Sequence, residues 1–311
     1  MRVTLTGATG GIGRGLAEAL VARGDEVTAL TRSPDHAAAR LPQGVTAVGW
    51  DPVAGPAPAD ALAGRDAVVN LAGENVAQRW TSEVKQRIRA SRELGTRNLV
   101  GGLRGAEPRP AALVSGSASG YYGAHGDERV GEDAPAGDDF LAAVSVAWER
   151  EALEAEGLGM RVAIVRTGIV LDADSGALAT MLTPFKLGVG GPVAGGGQYM
   201  PWIHRDDEIG LLLAALDNPG FSGAVNGSAP EPATNRDFSR ALGRALHRPA
   251  FAPIPAAAIK LLYGDMAQIV VKGVRMVPDR AAELGYTFRH PDLDEALRST
   301  LAREEPQPSG A

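Results

Sequence analysis

The chain opens with a strand, a glycine-rich turn, a helix and a second strand, all within its first thirty-two residues. Residues 2–5 have the apolar pattern of a short buried strand, and the sequence Thr-Gly-Ala-Thr-Gly-Gly-Ile-Gly follows at 6–13. Apolar residues then recur at helical spacing as far as Gly24, and residues 26–30 form a second strand pattern. This order predicts a βαβ unit in which the glycines lie where the strand becomes the helix.

Three glycines of this turn indicate a dinucleotide site. Gly7 and Gly10 allow the backbone to turn tightly and to approach a pyrophosphate, and Gly13 allows the helix to pack close to the sheet. The free N–H groups at the start of the helix then face the phosphates. We therefore expect a bound dinucleotide, with a glycine-rich turn that holds no ligand as the alternative.

The end of the second strand predicts which dinucleotide binds. An acidic residue there would accept a hydrogen bond from the ribose 2′-hydroxyl of NAD. This chain has Thr31 and Arg32 instead, and a guanidinium suits the charge and geometry of a 2′-phosphate. The sequence thus favours NADP(H) over NAD(H). The alternative is that Arg32 is an ordinary exposed arginine.

The alternation of strand and helix patterns predicts the fold class. We expect an α/β protein with a doubly wound parallel sheet, a Rossmann fold, and a smaller, mainly helical C-terminal domain. The Rossmann domain is predicted to span residues 1–175, with returning elements near 204–228. Residues 176–303 are predicted to form the C-terminal substrate or lid domain, and residues 304–311 a disordered tail.

Three shorter segments carry more local expectations. Residues 124–138 are rich in Gly, Asp and Pro and predict a loop, whereas 224–226 predict one further strand. Residues 255–272 predict a helix. Asp206 and Asp207 precede an apolar helical pattern, so they favour helix capping over catalysis.

Composition narrows the classes of partner. The formal net charge of −6 argues against nucleic-acid binding, and no apolar run is long enough to span a bilayer. Because the first strand pattern starts at Arg2, no signal peptide is expected, and the predicted location is cytoplasmic. The chain has no cysteine, and its five histidines show no metal-ligand spacing, so no metal is expected. The expected partner is a small-molecule substrate, and the expected state is a monomer or a homodimer.

Further motifs are spread along the chain: Asn70-Leu-Ala-Gly-Glu74, Arg79-Trp80, Ser91-Arg92, Gly120-Tyr-Tyr-Gly123, Trp148-Glu149, Pro201-Trp-Ile-His204, Asn226-Gly227 and the segment 253–301. The glycine motif at 6–13 resembles that of the short-chain dehydrogenase/reductase superfamily in its extended, sugar-epimerase-like branch. The wider set is similar to an atypical subgroup of that branch, often labelled "epimerase family protein", which resembles NAD-dependent epimerases and dehydratases and has a C-terminal helical unit. The resemblance implies bound NADP(H) but no well-defined reaction.

The resemblance also implies which residues contact the cofactor. Thr31 and Arg32 would lie at the 2′-phosphate, Arg92 near the nicotinamide half, and Val170 against the nicotinamide through its backbone. A salt bridge on the helix surface is the alternative for Arg92. The full expected set is Gly7, Thr9, Gly10, Gly11, Ile12, Gly13, Thr31, Arg32, Leu71, Ala72, Gly73, Glu74, Arg92 and Val170.

The superfamily works with a catalytic Tyr, a Lys four residues later that lowers the Tyr pKa, and a Ser that holds the substrate oxygen. No tyrosine of this chain has a lysine at that spacing. With Trp148 and Glu149 setting the register, the two positions fall on Leu141 and Ser145, which cannot perform that chemistry. The usual Tyr–Lys pair is therefore absent from the sequence.

Ser117 and the adjacent Tyr121 and Tyr122 are the remaining catalytic candidates, because all three follow the fifth strand pattern. Either phenol would need a nearby cation to act as a proton donor, and packing is the alternative role for both. The sequence thus leaves two functions open. One is an NADP(H)-dependent oxidoreductase or epimerase-like enzyme acting on a small polar carbonyl or hydroxyl compound. The other is a non-catalytic NADP(H)-binding redox sensor or regulator.

Overall fold

A computed structural model of the chain describes residues 1–302. The predicted tail, 304–311, lies outside the described residues. The strands are β1 (Arg2–Thr6), β2 (Glu26–Thr31), β3 (Val45–Gly49), β4 (Ala67–Asn70), β5 (Ala112–Ala118), β6 (His125–Val130), β7 (Arg161–Thr167), β8 (Ile169–Leu171), β9 (Tyr199–Met200), β10 (Trp202–His204), β11 (Gly223–Gly227), β12 (Ala233–Thr234) and β13 (Val274–Met276).

The helices alternate with these strands in the first two thirds of the chain and dominate the last third. They are α1 (Gly11–Ala22), α2 (Pro34–Ala38), α3 (Ser82–Arg104), α4 (Phe140–Leu153), α5 (Gly176–Lys186), α6 (Arg205–Asp217), α7 (Asn235–Ala245), α8 (Ala256–Tyr263), α9 (Ala267–Val271), α10 (Asp279–Glu283) and α11 (Leu293–Ala302). No helix among residues 1–302 is long and apolar enough to cross a membrane.

Seven strands form one sheet in the order β11-β7-β5-β4-β1-β2-β3, and every neighbouring pair is parallel. The chain winds outward from β1 through β2 to β3, then returns to β4 and winds the other way. The switch in direction therefore lies between β1 and β4, where open α/β sheets bind their ligands. The predicted doubly wound Rossmann fold is confirmed, and the further strand predicted at 224–226 is β11, at one edge of this sheet.

The central strands of the sheet are buried, because helices cover both of its faces. In β1, all four residues after Arg2 are buried, and β4 is buried throughout. On one face the apolar sides of α1 and α6 pack on these strands, with Leu16, Leu20 and Leu212 fully buried. On the other face α3 and α4 cover the sheet around Leu62, Leu99 and Leu113. A parallel sheet needs this double cover because both of its faces are apolar.

A further apolar cluster forms between residues 171 and 297, apart from the two that cover the main sheet. Helices α5, α7 and α11 enclose Trp202 and Phe238, both almost fully buried. Helix α6 and strand β11 fall in the stretch where returning elements are predicted, and β11 joins the main sheet. The predicted domain boundaries at 175 and 303 stay predictions.

Two local expectations were wrong. The segment 124–138 contains β6, which pairs in parallel with β13 from the distant C-terminal part. A strand of weak intrinsic propensity forms there because its partner supplies the backbone hydrogen bonds. The helix expected over 255–272 is broken into α8 and α9, with Gly264 at the break. Gly264 has φ of +63°, a left-handed conformation that no helix interior accommodates.

Candidate functional site

The glycine turn after β1 lies against the end of β4. Gly7 has φ of +73°, and a Cβ atom built on it would lie 2.7 Å from the carbonyl carbon of Leu71. A Cβ atom on Gly13 would lie 2.2 Å from the carbonyl oxygen of Gly7. Only glycine therefore permits both the turn and the packing of α1 onto it.

The start of α1 presents free backbone donors. Gly10 is exposed at the N-cap, where it has no side chain to cap the helix, and Gly11 and Ile12 form the first turn. Nearby, the Oγ of Ser175 donates a 2.8 Å hydrogen bond to the Asp172 carboxylate, and both side chains face Gly11. An uncapped helix start of this kind attracts phosphate through its N–H groups and the helix dipole.

A second arginine lies close to the turn. Thr31 ends β2, and the following Arg32 is exposed, as its predicted role requires. Helix α2 then returns the chain so that the Arg40 guanidinium lies 3.5 Å from the carbonyl oxygen of Thr9. Sequence reasoning overlooked Arg40. The only hint in the sequence was that Arg40 is a basic residue in the segment that follows β2.

Hydrogen bonds hold the end of β4 against β1. The Thr6 hydroxyl donates to the side-chain oxygen of Asn70 at 2.8 Å and accepts from the backbone N–H groups of Leu71 and Ala72, each at 3.1 Å. These two partly buried residues follow the strand directly, next to Gly7. The predicted nucleotide-lining residues are thus brought to the switch point of the sheet.

Arg92 is half-buried, and its guanidinium bonds to backbone carbonyl oxygens rather than to a surface carboxylate. Its Nη1 donates to the carbonyl oxygen of Glu74 at 3.0 Å, and its guanidinium lies 5.2 Å from the ring centroid of Trp148. A Cβ atom on Gly73 would lie 3.0 Å from the same guanidinium. Burial lowers the pKa of Arg92 to about 10, and the nearby Glu74 charge partly offsets this effect.

Ser117, at the end of β5, belongs to a buried ionic network. Its hydroxyl donates a 2.6 Å hydrogen bond to the Glu149 carboxylate. The same carboxylate receives two 2.9 Å hydrogen bonds from Arg166, a bidentate pair. All three residues are buried. The predicted catalytic hydroxyl is therefore hydrogen-bonded within the protein.

The two adjacent tyrosines differ in their surroundings. Tyr122 is 0% exposed, and its hydroxyl donates to Asn226 at 2.7 Å and accepts from Arg166 at 2.9 Å. Burial raises the pKa of Tyr122 to about 12, although the Arg166 charge opposes this shift. Tyr121 is partly exposed, and the Arg166 guanidinium lies 3.5 Å from its ring centroid. Of the two phenols, Tyr121 is the more accessible.

The structure also shows what stands where the superfamily has its Tyr and Lys. Leu141 and Ser145 lie on α4, and a Cβ atom on Gly120 would lie 3.1 Å from Leu141. Ser145 is buried. An apolar side chain therefore packs on the turn after β5 at the position expected for the acid/base residue.

Beyond β7 the chain forms β8, which carries Val170 and pairs in parallel with β10. Val170 is partly buried against the core of the sheet. The N-cap of α6 is His204, whose Nδ1 accepts from the backbone N–H of Asp206 at 3.1 Å. Asp207 instead accepts from the backbone N–H groups of Arg289 and His290, so it anchors the C-terminal segment rather than capping the helix.

His290, from the distant C-terminal segment, meets His204 and Asp206 at this helix start. The rings of His204 and His290 stack with centroids 3.7 Å apart, and the His290 Nε2 lies 3.6 Å from the Asp206 carboxylate. The potential ligand atoms of the three residues all lie within 4.8 Å of one another. Spacing along the sequence could not reveal this cluster, because one histidine comes from the C-terminal segment. The absence of a metal stays a prediction.

Glu208, on α6, is a buried carboxyl group that sequence reasoning missed. Its Oε1 accepts a 2.7 Å hydrogen bond from the Thr167 hydroxyl, whereas its Oε2 has no hydrogen-bond partner among residues 1–302. Burial raises the pKa of Glu208 to about 7, and the Thr167 hydrogen bond offsets only part of that shift. The Glu208 carboxyl therefore contacts the ends of β7 and β11. Its charged form is unfavourable in this buried position, so the free energy of unfolding depends on pH.

Family comparisons agree with this geometry. The pattern of the NAD-dependent epimerase/dehydratase family matches residues 3–226, which include the whole seven-stranded sheet except the first residue of β1 and the last residue of β11. A domain of unknown function, DUF1731, matches residues 254–300, the segment from α8 to α11. The two matches account for the Rossmann part and for the C-terminal helical unit separately.

Individual relatives match along nearly the whole chain. The chain is 39% identical over 310 residues to the chloroplastic epimerase family protein SDR39U1 homolog of Arabidopsis thaliana, covering 97% of this chain and 87% of the relative. It is 38% identical over 307 residues to epimerase family protein SDR39U1 of Homo sapiens, covering 97% and 100%. A crystal structure of human SDR39U1, isoform 2, with NADPH superposes with a TM-score of 0.87 at 36% identity, over 97% of this chain and 99% of that one. The chain therefore belongs to the NAD-dependent epimerase/dehydratase family, in the subgroup named epimerase family protein.

Proposed function

We propose that this protein binds NADP(H) at the switch point between β1 and β4. The glycine turn, which leaves no room for a Cβ atom at Gly7 or Gly13, and the uncapped start of α1 form a cradle that fits a pyrophosphate. Arg32 and Arg40 would hold the 2′-phosphate. The observation that carries the proposal is this cradle, and the NADPH in the human relative supports it.

The reaction that fits best is hydride transfer on a small polar carbonyl or hydroxyl compound, of oxidoreductase or epimerase type. A bound nicotinamide supplies the hydride donor or acceptor. Among the candidates after β5, we assign proton transfer to Tyr121, because it is partly exposed and Arg166 fixes its ring from one side. Ser117 and Tyr122 would position the turn through the Glu149–Arg166 pair rather than meet the substrate.

Removing either arginine at the predicted 2′-phosphate site is expected to weaken NADPH binding while leaving NADH binding almost unchanged. A charge-assisted hydrogen bond to phosphate contributes about 1.5–3 kcal/mol, so Arg32→Ala should lower NADPH affinity by roughly ten- to a hundredfold. Arg40→Ala should act in the same direction. Fluorescence titration of NADPH and NADH measures both effects. Equal loss for the two nucleotides would refute the assignment, and Arg104→Ala, on an exposed part of α3, is the matched control.

Turnover should depend on one tyrosine more than on its neighbour. With a panel of small carbonyl compounds and NADPH oxidation as the readout, Tyr121→Phe should lower the rate of any active substrate by about 10²–10⁴-fold, the range of general acid catalysis. Tyr122→Phe removes only a buried hydroxyl, so its effect should appear mainly in thermal stability. A Tyr121→Phe variant with unchanged turnover would exclude the assigned role.

A non-catalytic NADP(H) sensor is the second candidate, and a specific observation favours it. The Ser117 hydroxyl bonds to Glu149 and the Tyr122 hydroxyl to Arg166, so the buried ion pair engages both. Leu141 occupies the usual acid/base position. For this function no substrate of the panel would be turned over. The NADPH and NADP⁺ forms would instead differ in amide hydrogen exchange or in binding of a protein partner.

The cytoplasmic location and the monomeric or dimeric state belong to the same proposal. The Arabidopsis relative is named as chloroplastic. Sedimentation of the purified protein with and without NADPH would determine its oligomeric state.

A further inference from the structure

A cavity of about 700 Å³ opens on the C-terminal part, and none of the predicted cofactor or catalytic residues lines it. Four arginines contribute to its wall: Arg236, Arg240, Arg244 and Arg248. We call it the arginine cavity. Its volume lies within the range of pockets that hold small molecules. No acidic residue of the described chain lines it, although the whole protein carries a net charge of −6.

The charges of these arginines are only partly neutralised. Arg244 is paired with Asp294 through two hydrogen bonds, of 2.9 and 2.7 Å. Arg240 faces the Asp237 carboxylate at 3.9 Å, beyond hydrogen-bonding distance. The Asp237 and Asp292 carboxylates also act on Arg244, so the four lining cations have three carboxylates near them. A local excess of positive charge attracts anions even where the whole protein is acidic.

Backbone contacts, rather than carboxylates, hold the other two arginines. Arg236 donates to the carbonyl oxygen of Gly195 at 2.6 Å, and Arg248 donates through Nε to that of Lys186 at 3.0 Å. A carbonyl group fixes the direction of a guanidinium without cancelling its charge. Each of these side chains therefore keeps further N–H donors, already oriented, for a ligand.

The walls of the cavity come from three separate segments. The arginines at 236, 240 and 244 lie on successive turns of α7, and His247, with φ of +52°, turns the chain so that Arg248 lies on the same cavity. The third wall is Pro192, whose carbonyl oxygen accepts from the backbone N–H of Ile254.

We propose that the arginine cavity binds a small phosphorylated ligand, at a site separate from the NADP(H) cradle. A phosphate presents several anionic oxygens, which suits a wall that carries four guanidinium groups better than a single carboxylate does. Phe251, 82% exposed at the cavity, offers a ring face to the organic part of such a ligand. The ligand would be recognised without touching the predicted reaction centre.

The test is isothermal titration of the NADPH-saturated protein with inorganic pyrophosphate. Saturation with NADPH blocks the other phosphate-binding cradle, so any remaining binding reports on a second site. We expect one site, with a Kd on the order of 0.1–1 mM, and at least a tenfold loss of affinity in the double variant Arg236→Gln/Arg240→Gln. The matched control Arg89→Gln/Arg104→Gln removes two exposed arginines of α3 and should change the Kd by less than about twofold.

Each other outcome would overturn the proposal. Pyrophosphate binding that disappears on saturation with NADPH would place the anion in the cofactor cradle. Equal losses in the two double variants would mean diffuse charge attraction. Binding to phosphatidylglycerol vesicles, without binding of pyrophosphate, would assign the arginines to a lipid surface instead. Unchanged NADPH affinity and thermal unfolding of both variants would establish that they are folded.

Discussion

Replacing Arg166 with Met is expected to destabilise the protein by about 3–5 kcal/mol, the cost of leaving a buried charge without its partner. Arg166 and Glu149 are both buried and form a bidentate pair. Burial alone would lower the pKa of Arg166, but the hydrogen bonds and charge of Glu149 raise it. Without the guanidinium, the carboxylate must either stay charged in an apolar surrounding or take up a proton.

Urea unfolding of the variant, followed by circular dichroism, measures this loss. Arg14→Met is the matched control, because Arg14 forms an exposed ion pair with Glu18 and should change stability by less than about 1 kcal/mol. If the two variants lose similar amounts, the network does not hold the turn after β5. A double variant, Glu149→Leu with Arg166→Met, should recover part of the loss, because an apolar pair leaves no buried charge.

The Glu208→Gln variant is expected to be more stable than the natural protein at pH 8, by up to about 3 kcal/mol. Burial raises the pKa of Glu208 from 4.5 to about 7, so the folded protein keeps this proton to a higher pH than the unfolded chain does. The stabilising contribution of the protonated carboxyl is fully present below about pH 4.5. It is lost as the pH rises through about 7, since the folded state must then hold a buried carboxylate.

Unfolding free energies measured from pH 4.5 to 8.5 test this expectation. The difference between variant and natural protein should be near zero at the lower pH and should grow until about pH 7. Glu154→Gln, at an exposed carboxyl, should show no such trend. A constant difference across the range would mean that Glu208 titrates normally in the folded protein.

Local sequence patterns were sufficient to predict the Rossmann sheet. The buried strands and the amphipathic α1 repeat their apolar residues at spacings that neighbouring positions already reveal. Strand β6 was not predictable in this way, because its residues form a strand only through pairing with β13. The break at Gly264 also escaped the periodicity, since apolar residues continue on both sides of it.

The residues of the candidate site also fall into two groups, those that local spacing predicts and those that only the fold brings together. The glycine turn could be predicted because its motif occupies one short segment whose backbone requirements are local. The role of Arg32 at the 2′-phosphate stays a prediction. The missing Tyr–Lys pair was likewise evident from spacing. Arg40 could not be placed, because its approach to Thr9 depends on how α2 returns the chain.

By itself, the sequence determined the doubly wound sheet, the glycine cradle and the lack of the usual catalytic pair. Each depends on residues close together in the chain, where spacing fixes geometry. Only the tertiary structure decided that Ser117 and Tyr122 are held by a buried ion pair, that Glu208 is a buried acid, and that four arginines share one cavity. Burial and charge pairing are properties of groups from distant segments, so they exist only once the chain has folded.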